Sequence, residues 1–287
     1  MKRKLMAVIL SAAMLFSMGA VGAFASDGDA TTSYTSEDGI TLIGAAPFAG
    51  ATNVAPGNNS SKQPIRVALS GSVSDVVASI NDDDDTNDCI EVTVGTEPND
   101  TAVDVTASAD GNIVVLTPND VMTNNATYNV SFSGVLTGIS GYSFNTSRGG
   151  SGGGTGTGSG GGQGGTQALT LTGQIPFGEM NADGTVASAM TVSAGQSLYA
   201  VFSNSLLPSQ NNPANPDLKE DNLDEISVTD ASGNAVACTI DITDSWTVKV
   251  DTDGLTPGSY RLVITDNLTA NSGNKYVGKT IPFNIAA

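Results

Sequence analysis

The sequence has no histidine, two cysteines and few aromatic residues, and these shortages exclude several classes of function. Histidine is the commonest general base and the commonest zinc ligand, so its absence removes much acid–base and zinc chemistry. A glycosidase that uses two carboxylates would need a cleft with aromatic walls, and aromatic residues make up only 5% of the chain. The sequence indicates neither a G-x-S-x-G nucleophile elbow, which needs a strand before it and a helix after it, nor a phosphate-binding loop. The sequence therefore predicts a protein that is not an enzyme.

Basic residues are also scarce, because 11 Lys and Arg face 29 Asp and Glu. Residues 2–4 are Lys-Arg-Lys, and they precede an apolar segment at 5–16 and the small-residue site Ala-Phe-Ala at 23–25. This order is typical of a secretory signal peptide over residues 1–25, with Ser26 as the first mature residue. Without the signal peptide the chain carries eight basic residues and a net charge of −21. Such a charge disfavours nucleic acids and anionic membranes as partners.

The mature chain lacks an apolar run that could span a membrane, which needs about 20 residues. We therefore expect no membrane span and a secreted protein, either extracellular or held at the cell surface. The first mature segment, residues 26–39, is polar, acidic and without periodicity, which predicts a disordered acidic arm.

A glycine-rich stretch divides the mature chain into two parts. Twelve of the eighteen residues at 149–166 are Gly, and the others are Ser, Thr and Gln. Without apolar side chains to bury, such a segment cannot offset the entropy lost on ordering. The composition predicts a flexible linker over residues 149–167 with a root-mean-square span of roughly 23 Å. It also predicts that the two flanking blocks have no fixed mutual orientation.

Both blocks, residues 40–148 and 168–287, contain short runs of alternating apolar residues between turn residues. The pair Asp110-Gly111 lies between two such runs and is a strong hairpin signal. Strands that recur every 8–12 residues favour an antiparallel β-sandwich in each block. Periodicity does not decide whether Ser72–Ile80 is a strand or a short helix. Three prolines between Leu207 and Asp221 exclude a central strand or a long helix there.

Some of these runs carry a resemblance to a known family. The first block resembles bacterial Ig-like domains of the S-layer-protein type through its opening segment 46–54 and the later segments 116–118, 126–130 and 141–146. The second block resembles the family through two segments, Leu255–Tyr260 and Asn271–Asn274. The resemblance implies two divergent copies of an Ig-like β-sandwich. In that family such domains are spacers or adhesive modules on cell surfaces, which remains an analogy at the level of fold.

The densest charge run, Asp82–Asp85 followed by Asp88, is the candidate metal site. Calcium prefers six to eight oxygen ligands, and Asp83, Asp85 and Asp88 would supply several of them. The spacing differs from that of a 12-residue calcium loop, so a solvated acidic loop is the other interpretation. The acidic turns at 241–244 and 251–254 are weaker calcium candidates.

Two other groups of side chains leave alternatives open. Cys89 and Cys238 lie one in each block, so they are either free thiols or partners in an interdomain or intermolecular disulfide. Four aromatic side chains either belong to the core or stack on a sugar: Tyr199, Trp246, Tyr260 and Tyr276.

The sequence thus predicts an all-β protein with two Ig-like antiparallel β-sandwich domains joined by a flexible Gly-rich linker. The expected function is that of a secreted or cell-surface structural or adhesive protein. Its expected partners are a cell-surface protein, a glycan or further copies of itself. The alternative is a pair of carbohydrate-binding modules that recognise a glycan.

Overall fold

A computed structural model describes residues 34–59, 61–82, 88–96, 99–147, 169–176, 190–192, 195–208 and 216–286. The predicted signal peptide, most of the predicted arm and the predicted Gly-rich linker lie outside these residues. The described part of the first block ends at residue 147, and the described part of the second block begins at residue 169.

The first block consists of short strands and one short helix. The helix α1 is Ser74–Ile80, which resolves the ambiguity of that run, and its buried Val76 and Ile80 face the core. The strands are β1 (Leu42–Ala46), β2 (Gly57–Asn58), β3 (Ser61–Lys62), β4 (Ile65–Leu69), β5 (Ile90–Val94), β6 (Thr101–Ala102), β7 (Val105–Asp110), β8 (Ile113–Pro118), β9 (Thr127–Phe132) and β10 (Tyr142–Asn145), with a single-turn 3-10 helix at Gly134–Leu136.

The second block also consists of short strands and one short helix among its described residues. Its helix α2, Leu218–Asp224, was not predicted; it has seven residues and begins after Pro216, which is consistent with the exclusion of a long helix there. The strands are β11 (Leu171–Ile175), β12 (Met190–Val192), β13 (Leu198–Phe202), β14 (Ile226–Asp230), β15 (Ala235–Val236), β16 (Ile240–Asp244), β17 (Thr247–Val250), β18 (Gly258–Ile264) and β19 (Lys279–Ile285).

Each block is a sandwich of two mainly antiparallel layers around its own apolar core. In the first block the layer β10-β9-β5-β6 packs on β1-β4-β8-β7, and in the second β12-β19-β18-β14-β15 packs on β11-β13-β17-β16. Period-two alternation explains the inner layers: in β9, for example, Tyr128 and Val130 are buried while Ser131 is exposed. The predicted all-β fold class with two antiparallel sandwiches is confirmed.

The two sandwiches share a sheet, which the sequence did not predict. In the described residues one sheet runs through eight strands in the order β16-β17-β13-β11-β1-β4-β8-β7, and its middle pair joins the blocks. Strands β4 and β13 are buried at all five positions, so both of their faces are covered. One face packs on the core of its own block, and the other packs on the opposite block. The expected free orientation of the blocks is therefore not what the structure shows.

Candidate functional site: the interface between the two blocks

The strands that meet at the interface, β1 and β11, have matching sequences. Residues 42–47 read Leu-Ile-Gly-Ala-Ala-Pro and residues 171–176 read Leu-Thr-Gly-Gln-Ile-Pro, so both follow an L-x-G-x-x-P pattern. The two strands are antiparallel, with Ala45 opposite Gln174. Each strand also has a register shift at the same place against its inner neighbour, between its Leu and its Gly. The pattern marks the same first strand in two related blocks.

The glycine of this pattern lets the two strands approach closely. A Cβ on Gly173 would lie 2.5 Å from the Cα and the Cβ of Ala46, and real Cβ atoms do not come that near. A Cβ on Gly44 would lie 3.1 Å from the Cα of Ile175, which is tighter than an ordinary contact. Glycine is therefore required at position 173 by space rather than by backbone conformation.

The strand order on either side of the junction is symmetric. From β1 the sheet continues through β4, β8 and β7, and from β11 it continues through β13, β17 and β16. The hydrogen-bonded partners correspond as well, because β1 pairs with β4 in the same register as β11 pairs with β13. The interface thus has a local pseudo-two-fold axis between Ala45 and Gln174, like an isologous contact between two copies of one protein.

An apolar cluster lies on the face of the shared sheet that each block turns toward the other. Four of its members come from each block, and all are less than 10% exposed. Ile43 and Val115 pack against it. We call this set the interdomain cluster: Ala46, Ala55, Ala68, Ile113, Ile175, Tyr199, Val201 and Trp246.

Two polar contacts flank the interdomain cluster. The Arg66 guanidinium in β4 forms an ion pair with Asp244 in β16, and the Arg66 side chain is 8% exposed. The Tyr199 hydroxyl in β13 donates a hydrogen bond of 2.5 Å to the Asp110 carboxylate at the end of β7. The Lys249 ammonium lies 3.7 Å from the same carboxylate and 5.4 Å from the centre of the Tyr199 ring. Both contacts join one block to the other.

These two contacts occupy equivalent positions. Ala46 pairs with Arg66 in the first block, and the equivalent Ile175 pairs with Tyr199 in the second. Asp110 pairs across its hairpin with Ile113, as Asp244 pairs with Thr247. In both contacts the donor lies on an inner strand of one block and the aspartate on the outermost strand of the other block. Arg66 of the first block contacts the second block, and Tyr199 of the second block contacts the first.

The pKa values of Tyr199 and Lys249 are both raised, so both side chains keep their protons at neutral pH. Burial raises the pKa of Tyr199, and its hydrogen bond to Asp110 raises it further, so the hydroxyl stays a donor. Burial alone would lower the pKa of Lys249, but its interactions with Tyr199 and the charge of Asp110 outweigh this effect and raise it. Lys249 therefore stays charged beside the carboxylate.

Some buried polar groups at the interface remain unsatisfied. Gln174 is 2% exposed and Thr247 is fully buried. Neither the Gln174 side-chain amide nor the Thr247 hydroxyl has a hydrogen-bond partner among the residues that the structure describes. An unpaired buried polar group costs about 1–3 kcal/mol. The interface is thus closed by apolar packing and two charged contacts, but it is not optimised throughout.

One of the three predicted calcium ligands lies in the part of the chain that the structure describes. Asp83 and Asp85 lie outside the described residues, while Asp88 is described and precedes the buried Cys89. The Asp88 backbone carbonyl accepts a hydrogen bond from the Ser133 hydroxyl. Within the described ranges, no group of three or more His, Cys, Asp or Glu side chains is placed to hold a metal ion. Calcium binding there stays a prediction.

The acidic turns that were weaker calcium candidates are engaged by the protein's own donors. Asp241 forms a 2.8 Å ion pair with Lys219, which lowers its pKa. Asp244 pairs with Arg66, as described above. Asp251 accepts a 3.0 Å hydrogen bond from the backbone N–H of Asp253.

The cysteines and the aromatic candidates are placed in the interior. Cys89 is buried and Cys238 is half-buried, and both are free thiols in this structure. Trp246, Tyr199 and Tyr276 are each less than 5% exposed, so none offers its ring face to a sugar. Tyr276 packs edge-to-face on Phe202, and burial raises its pKa to about 12. These aromatic residues belong to the cores and to the interdomain cluster.

None of the described helices has the length and apolar character that crossing a bilayer requires.

One family model matches the first block. The family model described as a bacterial Ig-like domain matches residues 36–148, in one copy. No curated protein matches the chain. The matched residues are those of the first block, whose motifs resemble the same family, and a second copy in the second block stays a prediction.

Several solved structures resemble the chain at low identity. Domains 5–6 of the S-layer protein SbsC are 14% identical with a TM-score of 0.35, over 86% of this chain and 97% of that one. CopC from Methylosinus trichosporium OB3b is 15% identical with a TM-score of 0.27, over 41% of this chain and 93% of that one. SGBP-B from Bacteroides ovatus is 10% identical with a TM-score of 0.24, over 78% of this chain and 42% of that one.

Proposed function

We propose that the chain is a secreted or cell-surface protein with a structural or adhesive, non-catalytic role, and that residues 36–148, which match the bacterial Ig-like domain model, form its first Ig-like domain. The second block would be a second Ig-like domain, because it repeats the strand order, the helix position and the L-x-G-x-x-P strand of the first. The signal peptide predicted from residues 1–25 supports export.

The observation that carries this proposal is the interface between the blocks. A spacer or adhesive module must hold a fixed shape, and here two sandwiches share one sheet, an apolar cluster and two charged contacts. A shared sheet resists bending because its backbone hydrogen bonds must break before the blocks can rotate. We infer a unit of two domains that presents its outer loops at a set distance and angle.

The glycan-binding alternative lacks a comparable observation. Its candidate side chains Trp246, Tyr199 and Tyr276 are all buried, and Trp246 and Tyr199 are committed to the interdomain cluster. Stacking on a sugar requires an exposed ring face. The structural role is therefore the better-supported proposal.

Export is the first part of the proposal to test. The full chain would be expressed in a secreting bacterium beside a matched variant that lacks residues 1–25. We expect mass spectrometry to find the mature protein outside the cytoplasm with Ser26 at its N-terminus, and the deletion variant to stay inside. Full-length protein retained in the cytoplasm would contradict a secreted function.

Attachment is the second part. Purified mature protein would be incubated with cell envelopes from the same bacterium, and envelopes stripped of surface protein would serve as the comparison. We expect saturable binding to envelopes or regular self-assembly, without turnover of any envelope polymer. Release of sugar or peptide fragments from the envelopes would instead indicate an enzyme.

A further inference from the structure

The interface between the two blocks has the symmetry of a contact between two identical protein subunits. Its pseudo-two-fold axis places equivalent strands, β1 and β11, against each other. Each block offers the other a donor on its inner strand and an aspartate on its outer strand. Such an isologous surface imposes no requirement that the two blocks belong to the same chain.

We propose that a second copy of this chain can take the place of the chain's own partner block. The first block of one copy would then dock on the second block of another, with the same strand pairing and the same contacts. Two copies that exchange in both directions form a closed dimer, and copies that exchange in one direction form an open chain. This inference rests on the proposed structural role and names the surface through which self-assembly would occur.

The connection between the blocks is long enough for exchange. Ser147 and Leu169 are separated by residues 148–168, which reach about 70 Å when fully extended. Their composition predicts a flexible linker, and a flexible linker of this kind sets an effective concentration of about 1 mM. The closed monomer should therefore dominate in dilute solution. Exchange becomes competitive where copies are crowded, as on a surface.

The chemistry of the interface also permits opening. Unsatisfied polar groups at Gln174 and Thr247 weaken the closed state. The net charge keeps copies apart at low salt, whereas the Arg66–Asp244 pair is largely buried and is screened much less. Higher salt should therefore favour exchange between copies while the pair stays intact.

A charge-reversal pair tests the proposal directly. In Arg66→Glu two carboxylates face each other within one chain, and in Asp244→Arg two guanidinium groups do so. Either variant alone should open its interface and stay monomeric. In an equimolar mixture the glutamate introduced at position 66 of one copy faces the arginine introduced at position 244 of the other. The native pair forms at the second interface, so the mixture should form a one-to-one dimer.

The measurement is light scattering on a gel-filtration column, with each variant and the mixture at about 0.1 mM. The matched control is the chain that carries both changes, which should regain the closed monomer and thereby prove that the blocks tolerate both substitutions. A mixture that keeps the monomer mass while the control closes would overturn the proposal. If Arg66→Glu alone formed a dimer, the proposed docking of the first block of one copy on the second block of another would be contradicted.

A second measurement covers the case in which the single variants do not fold. Two wild-type batches with different affinity tags would be incubated together above about 1 mM, at low and at high salt, then diluted and captured through one tag. We expect the second tag to be captured with the first, more so after incubation at high salt. Absence of the second tag under both conditions would overturn exchange. Export and envelope attachment would be unaffected by that result and test the proposed function separately.

Discussion

At the scale of single residues, the interface depends on Arg66 and Tyr199, which occupy equivalent positions and reach across to Asp244 and Asp110. Sequence reasoning missed these roles because a lone basic residue in an alternating strand is normally read as solvent-facing. The hairpin signal at Asp110 was correct, since Asp110 pairs with Ile113 across the turn. Its second role at the interface depends on a contact 89 residues away in the sequence, which no local pattern encodes.

We predict that Arg66→Ala weakens the interface by about 2–3 kcal/mol, because it leaves the largely buried Asp244 carboxylate without its partner. Trp246 is the only tryptophan and lies in the interdomain cluster, so its fluorescence reports the interface directly. Urea unfolding should show the Trp246 emission shifting to the red at lower denaturant. Arg261→Ala removes an exposed arginine and should change the midpoint little. Equal midpoints for both variants would contradict the role of Arg66.

Burial of tyrosine predicts a loss of stability at high pH. The pKa of Tyr276 rises from 10.0 in the unfolded chain to about 12 in the folded one. A group with a raised folded pKa contributes its full stability below the unfolded pKa and loses it as the pH rises through the folded pKa. The free energy of unfolding should therefore fall between about pH 10 and pH 12. Tyr276→Phe should flatten this dependence in urea titrations, and an unchanged slope would contradict the assignment.

At the scale of elements, the sequence predicts the sandwiches but not their junction. Alternation of apolar residues identified most of the strands, because a strand with one exposed face carries that pattern. Two signals for the junction were available in the sequence. One is the apolar run LYAVF at 198–202, which is typical of a strand covered on both faces, and the other is the repeated L-x-G-x-x-P of residues 42–47 and 171–176. Pairing between β1 and β11 joins residues that are far apart in the sequence, so the sequence of either strand alone does not predict it.

We predict that Gly173→Ala separates β1 from β11 while each block stays folded. The added Cβ would lie 2.5 Å from Ala46, so the strands must move apart and the cost should be about 1–3 kcal/mol. The matched control is Gly71→Ala, because a Cβ there meets no atom within 4 Å. Circular dichroism should remain that of the wild type in both variants, and only Gly173→Ala should expose Trp246. An unchanged Trp246 emission would mean that the strands do not approach so closely.

At the scale of the whole molecule, the charge of −21 is the feature that the predicted calcium site would relieve. A thermal melt of the mature protein in EDTA and in millimolar calcium tests this. A site that includes Asp83, Asp85 and Asp88 should stabilise the protein by about 2.7 kcal/mol at a hundredfold excess over the dissociation constant. The triple change to Asn at those positions should abolish the shift. Equal melting temperatures in EDTA and calcium would leave the loop as a solvated acidic segment.

The two blocks form one unit with a shared sheet rather than two domains that move independently. Small-angle X-ray scattering on the dilute mature protein, beside the Gly173→Ala variant, measures whether they stay together in solution. We predict that one conformation with the shared sheet fits the wild-type curve, and that the maximum dimension increases in the variant. Wild-type scattering that requires an ensemble of separated blocks, identical to that of the variant, would contradict it.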